Sequence, residues 1–379
     1  MITTGVTLFL FTLLAINVPV GFAMGIAGAV GLYLIGGVSM TFGVLQTAPL
    51  SVTASYELIS IPMFLLMAEF VILSGVANDL FRAASTWVGR VPGGLGIATA
   101  LAGAGFGAVS GSSTASAATL SATTIPAMIK QGYEPRMACG VVAISGTLAM
   151  LIPPSIALVL YGIIADVNIG KLLIAGVIPG LLVTFTIAFT VYVLVKLDPH
   201  RAPIGQRYSW REKFASLKVV GPMIALFIMV TGSIYLGIAT PTEAAALGSF
   251  GAFLLAWHAR TITLKSVRMA LVSAAGTSCM IFLIIVGARI FGYFFTLTQT
   301  TQSIVSWLGA WDGSKFLILA VIVLIYLILG AIMDQIAILI LTVPVMLPVI
   351  VALGFDPIWF GVLVVVIAEV GLLTPPVGL

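Results

Sequence analysis

The chain has 379 residues, of which 61% are hydrophobic and only 7% are charged. A soluble domain carries about 25% charged residues, so this composition excludes a soluble globular protein and indicates an integral membrane protein. The net charge of +4 gives no support for nucleic-acid binding, because the basic residues lie in predicted loops beside the membrane. Continuous apolar runs favour helices over a closed β-barrel. Cys139 and Cys279 lie in apolar segments and are expected to be small buried core residues, not a disulfide framework.

The apolar segments predict a series of membrane-crossing helices. The nine predicted spans are 2–17, 20–38, 52–75, 137–165, 171–196, 220–238, 241–259, 269–297 and a last span from 358 onward. The first of them has no Lys or Arg before it, so it lacks the basic region of a signal peptide and is expected to remain as a helix. Asn17 precedes Pro19 and is expected to cap the second helix.

Two further apolar segments, 93–130 and 315–351, are interrupted in the middle by polar or small residues. Each is too long for one span and hard to fit as two. We therefore expect both to be re-entrant hairpins, which enter and leave on one face of the membrane.

The sequence repeats itself at an offset of 222 residues. Five prolines of the second half, moved back by that offset, fall on prolines of the first half. The pairs are Pro241 with Pro19, Pro348 with Pro126, Pro357 with Pro135, Pro375 with Pro153, and Pro376 with Pro154. A repeat in a very apolar chain predicts a transporter built from two halves, with its site where the halves meet. The predicted repeats are 1–157 and 223–379, joined through 158–222 by a connecting span and a linker.

The basic residues predict the orientation in the membrane. With the N-terminus outside, 13 of the 16 Lys and Arg residues fall on one face, which is then cytoplasmic by the positive-inside rule. The other face receives Lys171 and Lys315, and Arg289 lies within a span. The chain crosses the membrane five times before residue 223, so equivalent positions face opposite sides and the repeat is expected to be inverted. The polar stretch 198–218 is expected to form an amphipathic helix on the inner surface.

The tip of the first hairpin, residues 110–116, is rich in Ser, Gly and Thr, whose hydroxyls and unpaired backbone groups are potential ligands. Close packing by small residues is the alternative, but the position of the tip in the repeat favours a cation and substrate site. In the broken span 137–165, two adjacent prolines free carbonyl groups that can bind a hard cation such as Na⁺. The candidate residues here are Ser112, Ser113, Thr114, Gly146, Thr147 and Pro153.

The second half supplies the corresponding elements. Its hairpin tip contains Asp334, which aligns with Ser112 at the offset of 222, and its broken span contains Gly371 and Thr374. A carboxylate inside the membrane is costly, so Asp334 is a functional candidate, with pairing to an N–H of the hairpin tip as the alternative. A second Na⁺ site is expected near Asp334, Gly371 and Thr374. The N-termini of the half-helices are expected to face a substrate carboxylate.

Other polar residues are weaker indicators. The segment Thr240-Pro-Thr-Glu243 fits a helix capping box. Glu69 and Glu369 lie in apolar segments and are either packing residues or coupling sites. Arg289 is a candidate for contact with an anionic substrate, for pairing with a carboxylate of another subunit, or for snorkelling outward.

Other function classes fit less well. An intramembrane serine protease needs a base beside its serine, but His200 and His258 are expected at the cytoplasmic edge, far from Ser112. An aspartyl protease needs two membrane aspartates, and only Asp334 qualifies. The aspartates expected in loops are Asp79, Asp166, Asp198, Asp312 and Asp356. A channel is disfavoured because two inverted halves with broken helices suit alternating access better than an open pore.

Several motifs identify a family in combination. They are Ser110-Gly-Ser-Ser113, Gly146-Thr-Leu148, Ile152-Pro-Pro-Ser-Ile156, Thr240-Pro-Thr-Glu-Ala-Ala245 and Thr374-Pro-Pro-Val-Gly378. Together they resemble the large membrane subunit of TRAP transporters, the tripartite ATP-independent periplasmic type, and the resemblance covers essentially the whole chain. It implies an all-α integral membrane protein of the bacterial inner membrane, an elevator-type transporter of the broad ion-transporter superfamily. It also implies Na⁺-coupled uptake of an organic acid, a small four-helix membrane subunit, and a periplasmic binding protein that delivers the substrate.

The chain departs from this family pattern in two places. Members continue past the Thr-Pro-Pro motif, and the repeat predicts roughly 40 further residues. Arg289 stands where a small residue is expected, so no role for it is implied by the resemblance. C4-dicarboxylates, sialic acids and keto acids are all compatible with a small oxygen-rich site. A stand-alone dicarboxylate–cation symporter of the same superfamily is the alternative function.

Overall fold

The computed structural model describes residues 2–203, 205, 207–309 and 314–375. Throughout this part of the chain the regular elements are α-helices and short 3-10 turns, which confirms the all-α class. Within it, six helices are long and apolar enough to cross a membrane by length and composition. They are Val20–Thr53, Glu57–Ser74, Ile169–Leu197, Trp210–Tyr235, Leu264–Leu297 and Gln335–Ala352.

Four helices begin the chain: α1 (Ile2–Ala15), α2 (Val20–Thr53), α3 (Ser60–Ser74) and α4 (Val76–Val88). Helix α2 is 34 residues long and kinked at Gly37, which has a φ of 67°. Gly37 is not helical, so the helical residues of α2 are interrupted there, next to the predicted end of this span at residue 38. The helical residues that follow, up to Thr53, are not part of any predicted span until residue 52. The next span also begins later than the predicted residue 52, after a 3-10 turn at Glu57–Ile59.

Asn17 ends α1 and does not cap α2, so this prediction is wrong. Its φ is 66°, and its N–H donates to the carbonyl of Leu14 at 3.0 Å. Asparagine tolerates the left-handed region better than most residues and is therefore suited to the end of a helix. Pro19 stands directly before α2 and makes no side-chain cap.

Helix α4 occupies a stretch that the sequence interpretation leaves as a loop. The loop assignment of Asp79 is thus wrong, since Asp79 lies in the first turn of α4. Buried Ala77 and Phe81 are four residues apart and share one face. An amphipathic helix of this kind has no continuous apolar run, and the search for apolar spans therefore misses it.

The first predicted hairpin is observed as two helices, α5 (Gly94–Ser110) and α6 (Ser113–Lys130), separated by Gly111 and Ser112. The predicted broken span follows as α7 (Pro135–Thr147), a 3-10 turn at Leu148–Met150, and α8 (Ile156–Ala165). The five residues from 151 to 155 are not helical, as two adjacent prolines predict. Helix α9 (Ile169–Leu197) completes this part.

In its described residues (198–203, 205 and 207–218) the polar connector forms no separate surface helix, so that prediction is wrong. A 3-10 turn at Pro199–Arg201 follows α9. In it, the Arg201 Nε–H donates to Asp198 at 3.1 Å and holds the pKa of that carboxyl below its ordinary value. The helical part of the connector begins at Trp210 and belongs to α10 (Trp210–Tyr235), which continues without interruption into the next predicted span.

Six helices follow α10 in the described part of the chain. They are α11 (Pro241–His258), α12 (Leu264–Leu297), α13 (Thr300–Gly309), α14 (Lys315–Gly330), α15 (Gln335–Ala352) and α16 (Pro357–Leu372). The predicted capping box is confirmed: Thr240 Oγ1 accepts from the Glu243 N–H at 3.3 Å, and the Glu243 carboxylate accepts from the Thr240 N–H at 2.8 Å. Segment 315–351 breaks between α14 and α15, as predicted. Asp312 lies outside the described residues.

The offset of 222 residues relates the helix bounds of the two halves. Helix α6 covers 113–130, and the same residues moved by 222 give 335–352, the bounds of α15. Helix crossings repeat as well. A β-carbon on Gly107 of α5 would lie 2.7 Å from the Cα of Ala149, and one on Gly330 of α14 would lie 2.7 Å from the Cα of Gly371. Ala149 and Gly371 are equivalent at this offset, and Gly107 and Gly330 are within one residue of it, so each hairpin crosses its broken span at nearly the same point.

Cys139 on α7 and Cys279 on α12 are exposed, so the prediction that they are buried is wrong. The outer surface of this chain is itself apolar: Ile178 and Phe189 on α9, for example, are 77% and 56% exposed. In a protein surrounded by lipid, an apolar segment therefore does not predict burial in the protein core.

Candidate functional site

The tip of the first hairpin is closed by its own polar groups. Gly111 has a φ of 60°, which turns the chain between α5 and α6. Ser112 then caps α6, and its Oγ accepts from the Ala115 N–H at 3.4 Å. The hydroxyls of Ser110 and Ser116 are buried and lie 2.6 Å apart. The tip thus places Ser112 and its neighbours at the start of a helix, where unpaired N–H groups favour anions.

This tip packs directly on the broken span of the same half. A β-carbon on Gly111 would lie 3.1 Å from the carbonyl oxygen of Pro154, and one on Gly146 would lie 2.7 Å from the Cβ of Ala117 on α6. Of the candidate ligands, Ser113, Gly146, Thr147 and Pro153 are buried, and Thr114 is exposed. The fold therefore brings the hairpin tip and the loosened backbone of the broken span into contact.

Ser155 holds the start of α8 in the broken span. Its Oγ accepts from the Leu158 N–H at 3.2 Å and donates to the carbonyl of Met150. The side chain is completely buried. One hydroxyl therefore satisfies backbone groups on both sides of the two prolines, which water does not reach.

The tip of the second hairpin has an acid in the capping position. Asp334 accepts from the Ile336 N–H at 3.0 Å, so the pairing with a tip N–H that was the alternative for this residue is present. Asp334 is exposed, whereas Gln335 is buried and donates from Nε2 to the carbonyl of Val365 on α16 at 3.2 Å. This hydrogen bond ties the start of α15 to the broken span of its own half.

Thr374 folds back onto the end of α16. Its N–H and Oγ1 both donate to the carbonyl of Gly371, at 2.9 and 2.6 Å. The Gly371 carbonyl therefore already has two donors in this conformation, while Thr374 itself is exposed. Pro376, which follows in the motif, lies outside the described residues.

The two halves meet at these elements. Tyr161 of α8 donates from its hydroxyl to the carbonyl of Pro357 at the start of α16, at 2.7 Å. Glu369 of α16 lies next to the Ser113 side chain of the first hairpin and within electrostatic range of Asp334 on the second. Both hairpin tips and one broken span thus converge around Glu369.

Glu369 and Gln335 are site residues that the sequence interpretation did not assign. The sequence is compatible with either a packing or a coupling role for Glu369 and for Glu69. Glu69 accepts a hydrogen bond from the hydroxyl of Ser273 at 2.5 Å, whereas Glu369 is 2% exposed and neither of its oxygens has a hydrogen-bond partner among the described residues. Both acids lie in apolar runs, so only the fold distinguishes them.

Arg289 is placed apart from the hairpin tips. It lines a cavity of about 260 Å³ between α2, α8, α12 and α15, with apolar neighbours such as Ile164 and Leu341. None of Ser112, Ser113, Thr114 and Asp334 is among the residues that line this cavity. A substrate contact for Arg289 stays a prediction.

The convergent site is rich in oxygen and contains two carboxyl groups. It combines serine hydroxyls, backbone at two helix breaks, and the carboxylates of Asp334 and Glu369. Among the described residues the ion pair present is Arg201 with Asp198, in the linker, so neither carboxylate of the site has a basic partner within ion-pair distance. Such a donor set suits a hard cation, and the N-termini of α6 and α15 suit an anion.

Comparison with known proteins agrees with this architecture. A family model described as "Tripartite ATP-independent periplasmic transporter, DctM component" matches residues 7–379. The C4-dicarboxylate TRAP transporter large permease protein DctM of Pseudomonas aeruginosa is 38% identical over 325 residues, which cover 86% of this chain and 76% of the relative. The isethionate TRAP transporter permease protein DctMQ of Oleidesulfovibrio alaskensis is 32% identical over 96% of this chain and 57% of its own length.

The fold also resembles a solved transporter. The YdaH transporter of Alcanivorax borkumensis superposes with a TM-score of 0.66 at 15% identity, over 90% of this chain and 79% of that chain. At this identity the likeness concerns the fold alone. The family match spans nearly the whole sequence. Several of the sequence motifs that resemble TRAP transporters contribute residues to the convergent site. The chain therefore belongs to the DctM-component family of tripartite ATP-independent periplasmic transporters, as a large permease protein of the membrane.

Proposed function

We propose that this protein is the large permease subunit of a secondary transporter that takes up a small organic acid together with Na⁺. The observation that carries this proposal is the convergence of both hairpin tips, one from each half, around the buried Glu369. Transporters with repeated halves bind their substrate and coupling ion between broken helices at the repeat interface.

The substrate class follows from the chemistry of the helix ends and from the relatives. Helices α6 and α15 begin at Ser113 and Gln335, at the two tips. Their N-termini carry partial positive charge, which favours a carboxylate or a sulfonate. The two relatives named above are described as carrying C4-dicarboxylates and isethionate, which are small organic acids. A sialic acid or a keto acid is compatible with the same chemistry.

Two groups of residues fit Na⁺ as a co-transported ion, because each offers oxygen atoms only. The first group consists of Ser112, Ser113, Gly146, Thr147 and Pro153. The second consists of Asp334, Gly371 and Thr374. In the second group the Gly371 carbonyl accepts two hydrogen bonds from Thr374, so Na⁺ binding there requires Thr374 to turn away.

The mechanism we propose is alternating access by an elevator motion. Both hairpins and both broken spans form the moving part, and the helices near the start of each repeat form the scaffold. The repeats 1–157 and 223–379 are inverted with respect to each other, and each re-entrant hairpin opens to one side of the membrane. The N-terminus lies in the periplasm and the basic residues lie inside, in the bacterial inner membrane.

Two partners belong to this proposal. A small four-helix membrane subunit binds the scaffold, and a periplasmic binding protein delivers the acid. The relative named DctMQ carries two component letters in one permease, which supports an association between a large and a small membrane component. The lipid bilayer covers the remaining apolar surface.

Reconstitution tests the proposal. The protein is placed in liposomes with its small subunit, and uptake of a radiolabelled C4-dicarboxylate is measured with the binding protein outside. We expect uptake with an inward Na⁺ gradient and none without it. Uptake that ignores Na⁺ but follows a pH gradient would contradict Na⁺ coupling. Uptake without the binding protein would instead identify a stand-alone dicarboxylate carrier.

A further inference from the structure

Glu369 is a buried acid with little compensation among the described residues. Its side chain is 2% exposed, and neither carboxylate oxygen accepts a hydrogen bond of good geometry from them, with the Ser113 hydroxyl as the one neighbouring donor. Removing an ionised carboxylate from water costs several kcal/mol or more unless another group compensates the charge. Among the described residues no basic group compensates this charge, so the position of Glu369 calls for either a proton or a bound ligand.

The carboxylate lies on the face of α16 that meets the second hairpin. Val365 precedes Glu369 by four residues, so the two share one face of the helix. The Val365 carbonyl accepts the hydrogen bond from Gln335 at 3.2 Å, which places the start of α15 against this face. Ser113 of the first hairpin approaches from the other half. Glu369 is thus enclosed by both hairpin tips.

The unsatisfied atoms around it are all acceptors. Four buried side-chain atoms lack a partner in the described residues, and three of them are here: both oxygens of Glu369 and Oε1 of Gln335. The hydroxyl of Ser113 is an additional oxygen ligand. A cluster in which three oxygen acceptors face a single hydroxyl donor matches a hard cation, which binds oxygen and needs no hydrogen bond.

The charge of the site leads to the same ligand. Asp334 and Glu369 place two carboxylates near each other, and among the described residues neither has a basic partner within ion-pair distance. An organic anion that binds at the tips adds further negative charge, and like charges at close range repel strongly in a site of low dielectric constant. A cation in the cluster removes this repulsion before the anion arrives.

We propose that Glu369 is the anionic ligand of a Na⁺ site formed jointly by Ser113 of the first hairpin and Gln335 of the second. This inference rests on the proposed function, since it adds a residue and a site to the same coupling machinery. It differs from the two groups of ligands above in joining the halves across their interface. Binding of Na⁺ at Glu369 then links the two hairpin tips and prepares the site for the substrate anion.

Na⁺ binding without transport tests this proposal. The protein is purified with its small subunit, and the thermal unfolding midpoint is measured as NaCl replaces choline chloride at constant chloride and without substrate. We expect Na⁺ to raise the midpoint of the wild-type protein. In Glu369→Gln, which keeps the shape and removes the charge, we expect the apparent Na⁺ affinity to fall by about tenfold or more, equivalent to about 1.4 kcal/mol.

Glu69→Gln is the matched control, because Glu69 also lies in an apolar helix but already accepts a hydrogen bond from Ser273. We expect its Na⁺ titration to match the wild type. Glu369→Asp keeps the charge on a shorter side chain and is expected to lie between wild type and Glu369→Gln, which guards against a folding defect in one variant.

An unchanged Na⁺ titration in Glu369→Gln overturns the inference and identifies Glu369 as a permanently protonated acid. In that case Na⁺-driven uptake by the wild type still supports the proposed function. If the wild-type midpoint and uptake both ignore Na⁺, the proposed function and this inference are overturned together.

Discussion

Ser155 is the residue on which the geometry of the first broken span depends most. Its buried hydroxyl caps α8 and also donates to the carbonyl of Met150. In Ser155→Ala both groups lose their partner away from water, so we expect a loss of about 1–3 kcal/mol in the free energy of unfolding. Thermal or denaturant unfolding in detergent measures the change.

Ser209→Ala provides the comparison for Ser155→Ala, because Ser209 caps α10 at an exposed position. Water replaces an exposed cap, so we expect a loss of only about 0.5–1 kcal/mol. Equal losses in the two variants would contradict the view that burial makes the cap at Ser155 special.

Replacement of Arg289 distinguishes two hypotheses: that this side chain contacts the substrate directly, and that it does not. A direct contact predicts that Arg289→Gln raises the KM for uptake by about tenfold, the equivalent of about 1.4 kcal/mol. Because Arg289 lines a cavity that excludes the hairpin tips, we expect instead a KM within about twofold of the wild type. Uptake measured over a range of substrate concentrations distinguishes the two.

For single residues, the sequence predicts hydrogen bonds to near neighbours in the chain better than contacts between distant residues. The capping box at Thr240 follows from spacing, and the hydrogen bond of Asp334 is the alternative that the sequence offers for this acid, because both partners lie within three residues. The difference in hydrogen bonding between Glu69 and Glu369 does not follow from spacing, because it depends on which helix packs opposite each acid. Asparagine is suited to both ends of a helix, so only the backbone conformation shows that Asn17 ends α1 and does not cap α2.

Among the elements, the pair α2 and α12 illustrates close packing through glycine. A β-carbon on Gly28 would lie 2.7 Å from the backbone nitrogen of Phe291, whereas one on Gly25 would find its nearest neighbour at 3.8 Å. Small residues allow the backbones of membrane helices to approach in this way. The two glycines therefore form a matched pair on one helix.

We expect Gly28→Ala to destabilise the protein by about 1–3 kcal/mol, because backbone atoms of α12 have to move. Gly25→Ala is expected to be neutral or slightly stabilising, since alanine favours the helix and the space is open. Unfolding in detergent compares the two variants. Equal stability would mean that α2 and α12 adapt to the added methyl group without cost.

The sequence predicts the interruptions of the elements more accurately than their ends. Ser112 and the prolines at 153 and 154 mark real helix breaks, because polar tips and missing N–H donors act locally. The helical residues that follow the break at Gly37 in α2, and the amphipathic helix α4, are not predicted by the sequence. A kink and a loop have the same glycine signal, and only tertiary packing decides between them.

For the whole molecule, the repeat in the sequence predicts that a site lies where the halves meet. The structure identifies the residues that lie at this meeting point. The bounds of α6 and α15 agree at the offset of 222, and both tips approach Glu369. What the sequence does not provide is the distance between the halves, since no local pattern encodes contacts across more than 200 residues. The orientation of the protein, its coupling ion and its transport motion depend on the membrane, so they are tested with the protein in a membrane.

The central claim is that the two hairpin tips form one site. A double-mutant cycle on uptake tests it most directly, with Ser113→Ala, Asp334→Asn and the double variant measured as kcat/KM in Na⁺-loaded gradients. We expect each single variant to lose activity and the double variant to lose less than the product of the two, with a coupling of about 0.5–3 kcal/mol. Losses that multiply independently, or single variants that transport like the wild type, would contradict a shared site.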